Sequence, residues 1–299
     1  MSERTLVKTL LAFGIVYIVW GSTFLAIRVG VREVPPLISA ALRFTIAGAV
    51  LYGWTRLRRE TPPRGRQWGA IALMALLIFV CDYGLLFWAE TRVPSGITAV
   101  MMATIPAFIA IAEVVVLRTR RWTASLAVAL LVGLAGVAVL TLPSNGPGGA
   151  AISMTGAVAL VAASLSWSVA SVLTRRLPLP ESKLVNSGAQ MLTGGLLLAV
   201  AATLAGEWPG FHPAAVSMGA WAALAYLIIA GSIVGFTAYL WLMHHESPTR
   251  VGTYAYVNPV VAVLLGHWLG GEELGVRTVM GTLLVLGSVG AIMMERARR

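Results

Sequence analysis

Charged residues are scarce in this 299-residue chain: Asp, Glu, Lys and Arg make up 11% of it, whereas 58% of the residues are hydrophobic. Soluble domains carry roughly 25% charged residues, so the composition excludes an ordinary water-soluble protein. The single cysteine, Cys81, cannot form an internal disulfide, and four histidines with one cysteine offer no evident metal-ligand set. We therefore expect no bound metal and no cofactor.

The motifs of common soluble enzymes are also absent. The chain contains no Walker A loop, which argues against direct use of ATP, and no G-x-S-x-G or H-E-x-x-H motif, which argues against hydrolase and zinc-protease chemistry. We therefore expect that the protein is not an enzyme. An intramembrane enzyme assembled from scattered Ser, Asp and His side chains is the remaining enzymatic alternative.

Long apolar segments fill most of the chain. A helix of about 20 apolar residues crosses the roughly 30 Å hydrocarbon core of a bilayer, and 299 residues accommodate about ten such helices. Turn-rich or charged segments separate them. The predicted spans are 6–27, 36–55, 68–89, 95–117, 123–142, 152–174, 184–204, 219–243, 252–270 and 277–294.

The positive charges predict the orientation of these spans. The net charge of +10 would suggest nucleic acid in a soluble protein, but here the charges lie in short loops, so no nucleic-acid partner is expected. Of the 22 Lys and Arg residues, 17 fall in alternate loops on one side, four on the other side, and Arg43 inside a span. Because cytoplasmic loops carry the excess of Lys and Arg, we expect a multi-pass protein of the cell (inner) membrane with both termini cytoplasmic.

Residues of the first half recur in the second. Four pairs share an offset of 147: Trp20 and Trp167, Arg28 and Arg175, Arg43 and Gln190, Gly48 and Gly195. Four later pairs follow with offsets of 153 or 154: Pro94 and Pro248, Pro106 and Pro259, Gly133 and Gly287, Gly136 and Gly290. An ordered series of this kind indicates an internal repeat, and the drift reflects loops of different length.

Each half contains five spans, so the second half must enter the membrane from the opposite side. We therefore predict an all-α integral membrane protein of ten transmembrane helices, built as two inverted five-helix repeats around a central cavity. The repeats are residues 1–147 and 148–299. Inverted repeats are typical of secondary transporters, in which the two halves exchange conformations around a central site. A channel or a scaffold made from a duplicated bundle is the alternative.

Several motifs resemble the EamA family of the drug/metabolite transporter superfamily. They are the segments 20–24 (WGSTF), 43–44 (RF), 94–96 (PSG), 256–259 (YVNP) and 271–272 (GE), with 258–266 (NPVVAVLLG) the most specific. The resemblance covers nearly the whole chain as two repeats and implies ten helices, a central substrate cavity and export of amino acids or related metabolites. The Gly-Glu pair of the second repeat is replaced by Thr119-Arg120 in the first.

Two ionisable residues lie inside predicted spans and are therefore candidates for the substrate site. Arg43 and Asp82 both lie about 12 Å from the outer ends of spans two and three, which a short loop joins. The two side chains are expected to pair directly or across a cavity. The pair could bind substrate, since a zwitterionic amino acid could use both charges, or it could be linked to proton movement. A structural ion pair between two helices is the alternative.

Aromatic and amide side chains complete the predicted site. Indole and phenol groups line an apolar pocket while offering one hydrogen bond, although a belt at the membrane interface is the alternative for such residues. Pro106 and Pro259 are predicted hinges or kinks, with a purely structural bend as the alternative. The predicted substrate-binding residues are Trp20, Thr23, Arg43, Asp82, Tyr83, Trp167, Gln190, Tyr239, Tyr256 and Asn258.

These features predict a secondary transporter that exports small metabolites such as amino acids across the inner membrane by alternating access. The alternative is a passive channel or a lipid-handling scaffold without alternating access. The expected partners are a small-molecule substrate and the lipid bilayer, and the expected assembly is a monomer or a homodimer.

Overall fold

The computed structural model describes residues 3–115, 118, 121–141, 153–174, 176–246 and 248–297, which form helices joined by short loops. The predicted boundary between the repeats, at 147 and 148, lies outside the described residues. Ten helices in these ranges match the ten predicted spans. They are α1 (Glu3–Gly30), α2 (Pro36–Leu57), α3 (Arg66–Glu90), α4 (Ser95–Val115), α5 (Ala124–Thr141), α6 (Met154–Leu173), α7 (Lys183–Leu204), α8 (three segments, Met218–Tyr226, Leu227–Val234 and Gly235–His245), α9 (Tyr254–Trp268) and α10 (Val276–Ala297).

Nine helices within the described ranges are long and apolar enough to cross a membrane. The remaining helix, α9, has 15 residues, a length of about 22 Å, and follows the separate helical turn Pro248–Val251. The all-α membrane fold with ten spans is therefore confirmed, with α9 shorter than the sequence predicted.

The third helix of each half contains a π-helical segment. Leu76–Gly84 lies within α3 and Leu227–Val234 lies within α8, at equivalent places in the two repeats. A π-helix bonds each N–H to the carbonyl five residues earlier, so its turn is wider than an α-helical turn, and such segments are frequent at functional sites. The segments change which side chains of α3 and α8 face the centre of the bundle.

The two predicted kink prolines lie in different local structures. The helix α4 is interrupted between Ser95–Met102 and Ile105–Val115, and Pro106 lies in the first turn of the second segment, where its missing N–H is tolerated. Pro259 lies inside α9, whose helical path continues to Trp268. The chain is thus interrupted beside Pro106 and continuous at Pro259, and a hinge function at either proline stays a prediction.

Helix packing between the halves follows the inverted repeat. The second helices α2 and α7 pack together, as do the fifth helices α5 and α10. The first helix of each half packs against the third and fourth helices of the other: α1 on α8 and α9, and α6 on α3 and α4. Because each contact has a counterpart with the halves exchanged, the centre of the molecule lies between two structurally related halves.

Glycines allow α2 and α7 to cross closely. A Cβ atom at Gly48 would lie 2.2 Å from the backbone nitrogen of Leu192, and one at Gly195 would lie 2.3 Å from that of Thr45. These two glycines are repeat mates, so the same close approach occurs twice. On α5, Gly133 and Gly136 contact Ser288 and Val285 of α10 in the same way. These small residues therefore serve packing within the chain.

We expect Gly48→Ala to destabilise the protein by about 3 kcal/mol, because the added methyl group meets backbone rather than a movable side chain. Thermal unfolding of the detergent-solubilised protein measures this change. Gly53→Ala is the matched control on the same helix, since a Cβ there meets nothing within 4 Å. Equal melting temperatures for the two variants would contradict the close α2–α7 contact.

Candidate functional site

Arg43 lies at the centre of the bundle, where α2 faces the π-helical segment of α8. Its side chain is 3% exposed, and its Nε donates to the Ser232 Oγ at 3.0 Å. Its Nη1 is buried without a hydrogen-bond partner among the described residues. The guanidinium carbon lies 4.8 Å from the ring centre of Phe44 and 5.4 Å from that of Tyr83. A buried cation thus rests on aromatic faces with one donor group unused.

One face of α3 points toward Arg43. It carries Phe79, Tyr83, Phe87 and Glu90, which are spaced three or four residues apart and so share a side of the helix. The ring centres of Phe79 and Tyr83 lie 4.7 and 4.6 Å from that of Phe44, and the ring of Phe87 lies 6.0 Å from the Arg43 guanidinium. The acidic residue on this face is Glu90, at the end of α3 that the loop charges predict to lie on the outer side.

Asp82 does not pair with Arg43, contrary to the expectation from the sequence. Asp82 is 1% exposed, and its Oδ1 has no hydrogen-bond partner in the described part of the chain. Tyr83 lies against Arg43, and adjacent residues of the π-helical segment point to different sides of α3, so Asp82 is turned away from Arg43. A similar predicted depth is therefore not sufficient for contact, because direction around the helix decides it.

An aromatic cluster lies on the other side of the α8 π-helical segment. The ring of Trp20 lies 5.2 Å from that of Tyr239 and 5.4 Å from that of Tyr254, and the two tyrosine rings lie 6.1 Å apart. The Tyr254 phenol is also within electrostatic range of the Tyr83 phenol. Helices α1, α3, α8 and α9 therefore bring aromatic groups from both halves to one place.

The π-helical segment of α8 connects the aromatic cluster to Arg43. Gly231 accepts a hydrogen bond from the Trp20 Nε1 through its carbonyl at 3.1 Å, and the next residue, Ser232, accepts from Arg43. A side chain at Gly231 would meet Thr23 at 3.0 Å and the Arg43 Nη2 at 3.3 Å. The glycine thus lets α1, α2 and α8 meet at a single point.

The predicted site residues divide into two groups. Trp20, Arg43, Tyr83 and Tyr239 lie in the contacts just described, Trp167 packs edge-on against Tyr83 at 6.1 Å, and Thr23 donates to the Trp20 carbonyl. The other four lie outside these contacts. Asp82 is turned away from Arg43, as described above. Gln190 donates to Asn186 on its own helix, Tyr256 donates to the Val289 carbonyl of α10, and the Asn258 amide, oriented to satisfy both bonds, donates to the carbonyls of Tyr17 and Tyr254.

Three residues of this region were missed by reasoning from the sequence. Tyr254 lies two positions before Tyr256 and therefore on nearly the opposite side of α9, facing the cluster. Ser232 gave no signal, because a serine in an apolar run is unremarkable. Glu90 directly follows the predicted span 68–89, so it was not counted among the ionisable residues inside spans.

A carboxylate from the second half caps a helix of the first half at the face that the loop charges predict to be the outer one. Glu272, in the loop between α9 and α10, accepts hydrogen bonds from the Ser95 N at 2.6 Å, the Ser95 Oγ at 2.7 Å and the Gly96 N at 3.0 Å. An anion at a helix N-terminus is stabilised by the unpaired N–H groups and the helix dipole. We call this contact the outer clasp, and it joins the 94–96 and 271–272 motifs.

The outer clasp has no acidic counterpart at the inner face. The position equivalent to Glu272 in the first half is Arg120, which lies outside the described residues, and the position equivalent to Ser95 is Thr249. By contrast, each helix of the α2–α7 pair has an acidic contact near its start: Glu207 accepts from the backbone of Leu37 and Ile38, and its repeat mate Glu60 accepts from the Ser182 hydroxyl. The two repeats therefore both carry an acidic residue at the Glu207 position but differ at the Glu272 position.

Glu33, in the loop between α1 and α2, caps α8 by accepting from the Ser217 N at 2.6 Å and its Oγ at 2.7 Å. These hydrogen bonds lower the pKa of Glu33 below its usual 4.5. A depressed pKa means that the cap is complete above pH 4.5 and is lost as the pH falls through the lowered value.

We expect amide exchange in the first turn of α8 to lose protection in that acidic range. Glu33→Gln should show weak, pH-independent protection there, and a wild-type profile in this variant would contradict the cap.

Comparisons with known proteins agree with this geometry. The model of the EamA-like transporter family matches residues 7–142 and 154–294. The chain is 38% identical over 278 residues to the "Uncharacterized inner membrane transporter YedA" of Escherichia coli (strain K12), covering 92% of this chain and 87% of that protein. It is 26% identical over 279 residues to "Protein PecM" of Dickeya dadantii (strain 3937), covering 91% and 89%.

A solved structure described as "Crystal structure of protein" shares the fold, with a TM-score of 0.63, 24% sequence identity and 98% of both chains covered. Both halves of the present chain fall within the family match, and the two matched regions are separated only by residues 143–153. The chain therefore belongs to the EamA-like transporter family.

Proposed function

We propose that the protein is a secondary transporter of the inner membrane that exports small metabolites, amino acids above all, by alternating access. The observation that carries this proposal is the buried Arg43 with its unpaired Nη1, held between the two halves beside aromatic groups. An unused cationic donor inside a membrane protein is costly unless it meets an anion during function. Membership of a transporter family and the name of the Escherichia coli relative support transport across the inner membrane.

An amino acid fits the chemistry of the two neighbouring groups. Its carboxylate would accept from the Arg43 guanidinium in a charge-assisted bond. Its ammonium group would lie against the faces of Trp20, Tyr239 and Tyr254, since a cation is attracted to an aromatic face. The substrate would thus connect Arg43 of α2 to the aromatic cluster on the other side of Gly231. This connection would draw α2 toward α1, α8 and α9.

Alternating access follows from the inverted repeat. Two related halves of opposite orientation have two equivalent arrangements, one open to each side. The contact of α1 with α8 and the equivalent contact of α6 with α3 would exchange their arrangements when the transporter changes from one open side to the other. No cofactor is required, the bilayer and the substrate are the partners, and we propose a monomer or a homodimer without enzymatic activity.

Uptake into proteoliposomes tests the proposal. Labelled amino acids, nucleosides and sugars are supplied with and without a pH gradient, and we expect saturable uptake of amino acids above that of protein-free vesicles. Saturable uptake of another class alone would reject the amino-acid assignment while leaving transport standing. No saturable uptake of any class would reject transport of these metabolites.

Cysteine accessibility separates a carrier from a channel. Because Cys81 is the single native cysteine, Cys81→Ser gives a background for cysteines placed at positions 20 and 258. A carrier exposes each position to one side of the membrane at a time, and added substrate shifts the balance. Simultaneous labelling from both sides with no effect of substrate would favour the passive channel.

A further inference from the structure

Glu90 is a buried acidic residue at the outer end of α3 that the proposed substrate site does not use. Its side chain is 0% exposed, and neither carboxyl oxygen has a hydrogen-bond partner within the described ranges. The nearby Arg28 guanidinium donates instead to the backbone carbonyls of Glu90 and Val93. A carboxyl group removed from water and left unpaired is strongly destabilised when it carries a charge.

Charged side chains approach Glu90 from three of the elements packed against it. Arg28 of α1, Arg43 of α2 and Glu272 of the α9–α10 loop lie within electrostatic range, whereas α6 carries no titratable side chain in Met154–Leu173. No ion pair within 4.0 Å joins Glu90 to either arginine among the described residues. The nearby Glu272 carboxylate is held in the outer clasp, and its negative charge opposes a second one at Glu90.

We propose that Glu90 is a proton-binding site, protonated while the outer clasp is closed and ionised when the outer face opens. Opening separates Glu272 from α4, admits water to Glu90 and frees both arginines to balance its charge. On closure, the Glu90 carboxylate takes one proton from a hydronium ion of the outer solution and leaves a water molecule. Acid outside therefore favours the closed outer face. The inference rests on the proposed function in so far as opening and closing belong to the transport cycle.

Thr98 provides a reporter of outer opening. Its side chain is 0% exposed and lies one turn below the clasp in α4. In the Cys81→Ser background, Thr98→Cys should react with a membrane-impermeant thiol reagent from outside only when the outer face opens. Because the thiolate is the reactive form of any cysteine, the rate is divided by the rate at which the same reagent reacts with free cysteine at the same pH. We expect this corrected rate to rise with outer pH, by up to about tenfold per pH unit for one linked proton. This assay needs no substrate, so failure to find a transported substrate and failure of the pH linkage are separate results.

Glu90→Gln decides the assignment, because glutamine mimics the protonated carboxyl. We expect slow labelling of Thr98→Cys whose corrected rate no longer varies with pH, whereas the exposed neighbour Glu273→Gln keeps the wild-type dependence. A pH dependence of the corrected rate that survives Glu90→Gln would overturn the proposal, and so would a pH-independent corrected rate in the Thr98→Cys protein that retains Glu90. If Glu90→Gln does not fold, Glu272→Gln gives a second test: removal of the opposing negative charge makes Glu90 easier to ionise, so the pH above which labelling stops rising should fall, whereas loss of the clasp alone would raise labelling equally at every pH and would count against Glu90.

Discussion

Replacing Arg43 by glutamine should lower the transport rate about 100-fold while leaving the protein folded. Removal of one member of a buried charged contact costs about 2–5 kcal/mol, and 2.7 kcal/mol corresponds to a factor of about 100. The fold should tolerate the change, because Arg43 is held by a single hydrogen bond to Ser232 and the equivalent position in the other half is the buried Gln190. Initial uptake rates in proteoliposomes, together with thermal unfolding, measure the two effects separately.

Ser232→Ala is the matched control for Arg43→Gln. It removes the hydrogen bond to the Arg43 Nε but keeps the cation and its aromatic contacts, so we expect a loss of transport of no more than about tenfold. A wild-type rate for Arg43→Gln would remove Arg43 from the substrate site. Equal losses in both variants would assign Arg43 to positioning α8 rather than to the substrate.

Replacing Glu272 by alanine should open the outer face. Three charge-assisted hydrogen bonds to Ser95 and Gly96 are lost, which we expect to cost about 2 kcal/mol in this partly exposed loop. The population with an open outer face then rises about 30-fold relative to the closed one. Amide hydrogen exchange over Ser95–Met102 should lose protection, and labelling of a cysteine at position 98 should accelerate.

Glu273→Ala controls for a change of loop charge, since it lies next to Glu272 and is exposed. It should leave both the exchange of Ser95–Met102 and the labelling unchanged. Unaltered protection in Glu272→Ala would show that packing of α4 on α9, rather than the clasp, keeps the outer face closed. That packing is tight, since a Cβ at Gly96 would lie 2.9 Å from the Val263 Cα.

The contents of the site were only partly predictable from the sequence. Arg43 was predicted from its depth in a span, and Trp20 and Trp167 from the repeat, because both are linear properties of the chain. Tyr83 was predicted only as an aromatic residue of the third span. The residues of α3 that face Arg43 were not predicted, because the α-helical and π-helical turns of α3 place Tyr83 and Glu90 toward Arg43 and Asp82 away from it. A choice between neighbouring residues depends on helix rotation, which hydropathy does not encode.

The sequence by itself determined the ten spans, their alternating direction and the repeat, because hydrophobic length, loop charge and internal similarity are set locally along the chain. Tertiary structure alone decided which side chains meet. Trp20 reaches Gly231 across 211 positions and Ser95 reaches Glu272 across 177, and such contacts exist only once the helices of both halves have packed. The same packing buries Glu90 without a partner, and so turns an ordinary acidic residue at a helix end into a candidate proton site.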